Sequence, residues 1–197
     1  MVIVVGHSTR PLGVMKTRQP SFSTPRLSLH PARLDDLPAL HELWSDAQVK
    51  RFLFDDQPVS LELAESALSD CLAHSVEGLG LWLVHETNGP SMLGCVGLNR
   101  ATVAAEYESM LTGLFEPLAS FSPRYWHKGF AREAVRPLLD YAFGPLDQSR
   151  LAAVNDVPNI ASEKMLLCLG FKPYSEVLGP RHPLRTYQLS REDWLQQ

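Results

Sequence analysis

The chain has 197 residues, 45% hydrophobic and 20% charged, with 18 Lys and Arg against 22 Asp and Glu for a net charge of −4. That length supports one good core, and the acidic balance excludes broad nucleic-acid binding, which needs a basic footprint. Cys71, Cys95 and Cys168 are too dispersed for a disulfide framework, no CxxC or HxxxH spacing supports a metal site, and no apolar run approaches transmembrane length, so a reducing, cytoplasmic setting without a membrane partner is expected.

The opening "MVIVV" is too short for a signal-peptide core and runs straight into Gly6. Residues 1–23 lack periodicity and are expected to form a loose extension ahead of a single domain over 24–197. "RLSLHPA" (26–32) alternates like a strand, and "LDDLPALHELW" (34–44) reads as a helix with Pro38 in its first turn. In "VSLELAESALSDCLAH" (59–74), Leu61, Ala64, Leu68, Cys71 and Leu72 share a helical face. "LWLVHE" and "MLGCVGLNR" flank a hairpin signal centred on Asn88-Gly89. A further strand falls somewhere in 109–121, with Pro117 inside it, and a strand proline implies an edge, a bulge or a splayed region.

The strongest helix follows. Ala131, Ala134, Val135, Leu138, Leu139, Ala142 and Phe143 form one apolar face that should pack on a sheet. Pro137 should kink it, at roughly 3 kcal/mol in a free helix. Then come a strand (150–155), a helix from an Asn159 N-cap to Leu169 closed by Gly170, and two strands in "FKPY" and "RTYQLS". Helices around a mostly antiparallel sheet make an α+β domain.

The head of the strongest helix, "SPRYWHKGFAREA" (122–134), places Gly129 and Ala131 among basic residues. There is no GxxxxGK[ST] loop and no three-glycine dinucleotide fingerprint. What remains is a turn from His127 to Arg132, covering Lys128, Gly129, Phe130 and Ala131, whose N–H groups are the first unsatisfied donors of the helix. Two readings stand for these six residues: a pyrophosphate cradle and a solvated surface turn.

"YWHKGFAREAVRPLLDYAF", "VPNIASEKMLLCLGF" and "YQLSREDW", with the opening "TPRLSLHPARLDDLPALHELWSDAQVKRFL", together resemble the GNAT superfamily of acyl-CoA-dependent N-acetyltransferases. Within it they are similar to the branch typified by ribosomal-protein N-terminal acetyltransferases. The resemblance covers about residues 24 to 194. It implies a mixed, mostly antiparallel, splayed central sheet of six to seven strands flanked by about four helices. It assigns 127–132 to the cofactor pyrophosphate, with His127 standing where the branch commonly has Gly or another small or polar residue. Pantetheine would lie in the splay against the backbone of Ala119 and Phe121, with an N–H near Phe121 facing the thioester carbonyl.

An ammonium acceptor must lose a proton before attack, and a carboxylate is its natural acceptor. Glu116 aligns with the branch's acid; Glu108 and Glu106 are alternatives if 101–115 holds a gap. Asn159 and Ser162 match the branch's N-x-x-S, implying that Asn159 orders the cofactor arm and Ser162 serves near the sulfur, as acid through its hydroxyl. Met165 and Leu166 occupy positions where many GNAT enzymes have a Tyr, which leaves Tyr174 and Tyr187 as fallback acids. Trp44, Phe52 and Phe54 are expected to pack the first helices, and "GPRHPLR" (179–185) to form a loop at the acceptor mouth whose Arg181 and Arg185 could meet an acidic acceptor. The implied reaction is acetyl transfer from acetyl-CoA to a primary amine, a protein N-terminus or a small amine, directly in a ternary complex. A non-catalytic acyl-CoA-binding scaffold is the alternative. Oligomeric state, a homodimer included, stays open.

Overall fold

A computed structural model describes residues 19–87 and 89–197, without the side chains of Val103 and Ala104. Strands β1 (Phe22–Ser23), β2 (Leu27–Pro31), β3 (Gly80–Glu86), β4 (Met92–Arg100), β5 (Phe115–Phe121), β6 (Arg150–Asp156), β7 (Lys172–Leu178) and β8 (Pro183–Ser190) form one sheet in the order β1-β2-β3-β4-β5-β6-β8-β7. Every neighbouring pair is antiparallel except β5–β6. The helices are α1 (Leu37–Ser45), α2 (Ala47–Leu53), α3 (Leu61–Ala73), α4 (Thr102–Tyr107), α5 (Phe130–Phe143), α6 (Ile160–Cys168) and α7 (Arg191–Leu195).

The α+β class and the mixed, mostly antiparallel sheet match the expectation, but its size does not: the described residues form eight strands and seven helices. The additional elements are β1, at two residues too short to alternate, and α2, α4 and α7, at five to seven residues too short to show a periodic face. Residues 1–18 lie outside the described residues, as does Asn88 of the hairpin signal, although β3 and β4 do pair antiparallel. Residues 22–23 form β1, and residues 19 and 20 are tied to β3. Gln19 Nε2 donates to the Leu81 carbonyl at 2.9 Å, the Pro20 carbonyl accepts from Trp82 Nε1 at 2.6 Å, and Phe22 meets the rings of Trp82 and Tyr141.

Two apolar layers sandwich the sheet. On one face α5 buries Ala134, Val135, Leu138, Leu139, Ala142 and Phe143, the spacing read from the sequence. The helix is continuous through Pro137. Each large apolar side chain it buries is worth about 1.5–3 kcal/mol, and together they outweigh the proline's cost of roughly 3 kcal/mol. On the other face α1, α2 and α3 cover Leu81, Leu83, Cys95 and Leu118, with the Trp44 and Phe54 rings tilted against each other 5.7 Å apart among them. β5 contributes to both layers, with Phe115 and Phe121 in the one and Leu118 in the other.

Candidate active site

Strands β5 and β6 pair at one register position only, Phe115 with Leu151. The side chains explain why they part there. Ser122 N–H donates to the Leu93 carbonyl at 3.0 Å and Ala101 N–H to the Leu114 carbonyl at 2.9 Å. Hydrogen-bonding direction alternates along an antiparallel ladder, so residues 116, 118 and 120 bond towards β4. The backbone groups of 115, 117, 119 and 121 therefore turn towards β6. One step beyond Phe115, the parallel ladder would need an N–H from residue 117, which is proline and has none. It would also need Val154 N–H to reach the residue 117 carbonyl. Instead that N–H donates to Glu116 Oε1 at 2.9 Å. Both bonds that would continue the seam are removed, and the strands diverge.

Past this point the backbone of Ala119 and the N–H of Phe121 face the gap, where an extended chain could pair with them. The Phe121 carbonyl is already occupied, accepting from Trp126 Nε1 at 2.7 Å. That bond ties the following loop to the end of β5. After the 3-10 turn Pro123–Tyr125 the loop adopts left-handed backbone at two positions, His127 (φ 60) and Gly129 (φ 78). An L-residue pays roughly 1–2 kcal/mol there, which gives the reason for a glycine at 129 and makes His127 a strained exception.

Glu133 N–H reaches the Gly129 carbonyl at 3.1 Å, whereas the N–H groups of Gly129, Phe130, Ala131 and Arg132 take no partner among the described residues. Four free donors at the head of a 14-residue helix, with its positive dipole end, make a cradle for an anion. Lys128 and Arg132 are exposed beside it, and Lys128 lies 5.5 Å from the Tyr125 ring centre. The Phe130 side chain is buried in the core, so only its backbone is available.

Because β5 and β6 run parallel, both lead into helices at the same end of the sheet, so α5 and α6 present their N-termini together. At the second one, Asn159 is the N-cap: its Oδ1 accepts from Ser162 N–H at 3.2 Å, leaving the Nδ2 donor. Ser162 is half-buried on the first turn. Leu166 is buried and Met165 packs on the core, so α6 carries no acid at those positions. Tyr174 is exposed on the sheet-edge strand β7. Tyr187 is fully enclosed, and burial raises its hydroxyl pKa.

Glu116 is buried at 8% exposure. Burial raises its carboxyl to about 7, against the opposing pull of the Val154 N–H. A carboxyl that ionises near neutrality, at the opening of a groove, suits proton transfer. Glu108 instead caps the short turn Ser109–Leu111 and accepts from Ser175 Oγ at 3.3 Å, and Glu106 is exposed on α4.

Between the end of α2 and the β7–β8 loop, Asp55, Asp56, Gln57, Pro180 and Arg181 line a cleft of about 520 Å³. Arg181 spans it, bonding Asp56 at 3.3 Å and the Arg51 carbonyl at 3.2 Å, while Phe52 meets the His182 ring. Arg185 lies on β8 and is engaged by Glu163 and Glu176. Both arginines are thus occupied by acids of the chain itself. Val154 as the partner of Glu116 is not legible in the sequence, because a backbone donor carries no residue-type mark.

A sheet split between β5 and β6, with unpaired N–H groups at the head of the helix that follows, is an arrangement that could take an acyl-CoA. Residues 26–172 match the acetyltransferase (GNAT) domain family, and the chain belongs to that family. It is similar to the "Uncharacterized N-acetyltransferase YoaA" of Bacillus subtilis, 27% identical over 78% of this chain and 83% of that one. It is also similar to a spermidine N(1)-acetyltransferase of Escherichia coli, 24% identical over 77% and 76% of the two chains. Among solved structures the fold is shared with RimL, a ribosomal L7/L12 alpha-N-protein acetyltransferase in complex with coenzyme A. The TM-score there is 0.68, at 17% identity over 85% of this chain and 95% of that one. The chain is an N-acetyltransferase that uses an acyl-CoA and acts on amines.

Proposed function

We propose that the chain moves an acetyl group from acetyl-CoA directly to a primary amine, a protein N-terminus or a small amine, within a ternary complex. Acetyl-CoA supplies the thioester carbonyl and a thiolate leaving group. The free N–H groups of 129–132 hold its diphosphate, with Lys128 and Arg132 adding charge and His127 at the rim. Ala119 pairs with the pantetheine arm, and Asn159 Nδ2 steadies it. The Phe121 N–H, nearer the diphosphate end of the gap, continues that pairing. Ser162 donates the proton that the departing sulfur requires. Glu116 removes the proton from the acceptor ammonium.

The carrying observation is the Glu116 carboxyl, buried beside the opening of the gap and raised to about 7. That value lies within about one unit of an α-ammonium and about three units below an alkylammonium. Direct transfer is supported by the cysteines: burial pushes Cys71 and Cys95 to about 12, and Cys168 is the last residue of α6, at the far end of that helix from Ser162. None is disposed to carry the acyl group. Both acceptor classes occur among the named relatives, a polyamine in one and a protein α-amine in the other.

The test is thiol release from acetyl-CoA over N-terminal peptides and small amines, with wild type and Glu116→Gln. Turnover is expected, reduced in the variant by about 100-fold with α-amines and towards 10,000-fold with alkylamines. Binding of acetyl-CoA without thiol release on any acceptor overturns the reading.

A further inference from the structure

The head of α5 contains an electrostatic conflict. Glu133 stands in the first turn of the helix whose N–H groups form the cradle, where a carboxylate would repel a bound diphosphate. Residues just ahead of β2, more than a hundred positions away in sequence, resolve it. Arg26 Nη2 lies 2.5 Å and Nε 2.6 Å from Glu133 Oε2. Glu133 Oε1 accepts from Thr24 Oγ1 at 2.6 Å and from Arg26 N–H at 3.1 Å. Burial alone would raise the Glu133 carboxyl, but these bonds hold it below the usual carboxylate range.

The same guanidinium does a second thing. Nη1 and Nη2 both donate to the Lys128 carbonyl, each at 3.2 Å, while the guanidinium carbon lies 4.4 Å above the Phe130 ring. A trans peptide is planar, so its C=O and N–H point in opposite directions. Holding the Lys128 carbonyl on the β2 side therefore turns the Gly129 N–H away from β2. A peptide preceding a left-handed glycine is otherwise easily rotated, since glycine tolerates both orientations.

Resting on the diphosphate reading of the 127–132 loop, we propose that Arg26 is a positioning residue for the cofactor. Its guanidinium locks the Lys128–Gly129 peptide with the N–H outward and neutralises Glu133, so that the cradle presents donors and no net negative charge to the diphosphate. The planar fork is what allows one side chain to reach a carbonyl and a carboxylate together, which an ammonium cannot reproduce.

The experiment compares acetyl-CoA with acetyl-pantetheine, which lacks the diphosphate, as donors for wild type, Arg26→Gln and Arg26→Lys, with calorimetry of CoA binding alongside. For Arg26→Gln the KM for acetyl-CoA and the Kd for CoA should rise about tenfold or more, with kcat at saturation and the KM for acetyl-pantetheine unchanged. Arg26→Lys, which keeps the charge, should fall between the two and covers the case in which Arg26→Gln does not fold. In Arg26→Gln/Glu133→Gln, removal of the exposed carboxylate should restore part of the CoA affinity. Equal loss with both donors reduces Arg26 to a structural residue and overturns the proposal, as does an unchanged Kd. Absence of CoA binding by the wild type removes the diphosphate reading itself, a result distinct from either.

Discussion

Replacing Glu116 with Gln should stabilise the protein in alkaline buffer while disabling it. The Glu116 carboxyl is raised from 4.5 to about 7 in the folded state. A folded pKa above the unfolded one means that the native state binds the proton more tightly. The associated stability is present in full below the unfolded value and is lost as pH rises towards 7. Above that, the native state carries a buried carboxylate, and 2.3RT times the shift gives a penalty of about 3 kcal/mol. Glutamine has nearly the same volume, keeps an oxygen for the Val154 N–H and cannot ionise. Thermal unfolding of the two proteins at pH 4 and pH 8.5, at matched ionic strength, should show near-equal stability at the lower pH and a more stable variant at the higher. With about 2–4 °C per kcal/mol for a chain of this size, the difference at pH 8.5 is several degrees. Should the two proteins lose stability in parallel across this range, Glu116 does not titrate near neutrality, and its assignment as base loses its physical ground.

At Gly129 an added Cβ meets only the Arg26 guanidinium, at 3.7 Å, so Gly129→Ala should cost about 1 kcal/mol through its left-handed backbone alone and weaken CoA binding measured by calorimetry. Asn159→Ser retains an N-cap oxygen but lacks the amide donor, so it should melt like wild type and raise the KM for acetyl-CoA. Asn159→Ala should raise that KM and also lose about 1 kcal/mol of stability in urea titration. A Cβ at Gly94 would press on the Ser120 carbonyl oxygen and come within 2.7 Å of Phe121 Cα, so Gly94→Ala should lower the unfolding free energy from urea titration by about 1–3 kcal/mol.

Much of this architecture is legible locally. The face from Ala134 to Phe143 predicts the buried side of α5, and Gly129 marks the turn before it, because burial and left-handed backbone each restrict residue type. Pro117 signals a disturbed strand; the residues alone leave open whether it is an edge, a bulge or a splay. That choice depends on which side of β5 residue 117 faces, and the register with β4 sets it. Short helices such as α2 and α7 escape because five to seven residues hold too few turns for a pattern. The Arg26–Glu133 pair escapes for another reason: an exposed Arg and Glu are ordinary surface residues until folding brings positions 26 and 133 together. The resemblance pointed to Glu116, yet its environment, a backbone donor from a strand that never pairs with it, is a product of tertiary structure alone.

The absent N–H at residue 117 has a kinetic consequence. Since Val154 already has its partner, an extended ligand lying between the two strands displaces no main-chain bond of the protein, and the slot needs no local melting before entry. Association should accordingly be governed by encounter, with an observed rate that climbs linearly with CoA concentration and shows no ceiling set by an opening step.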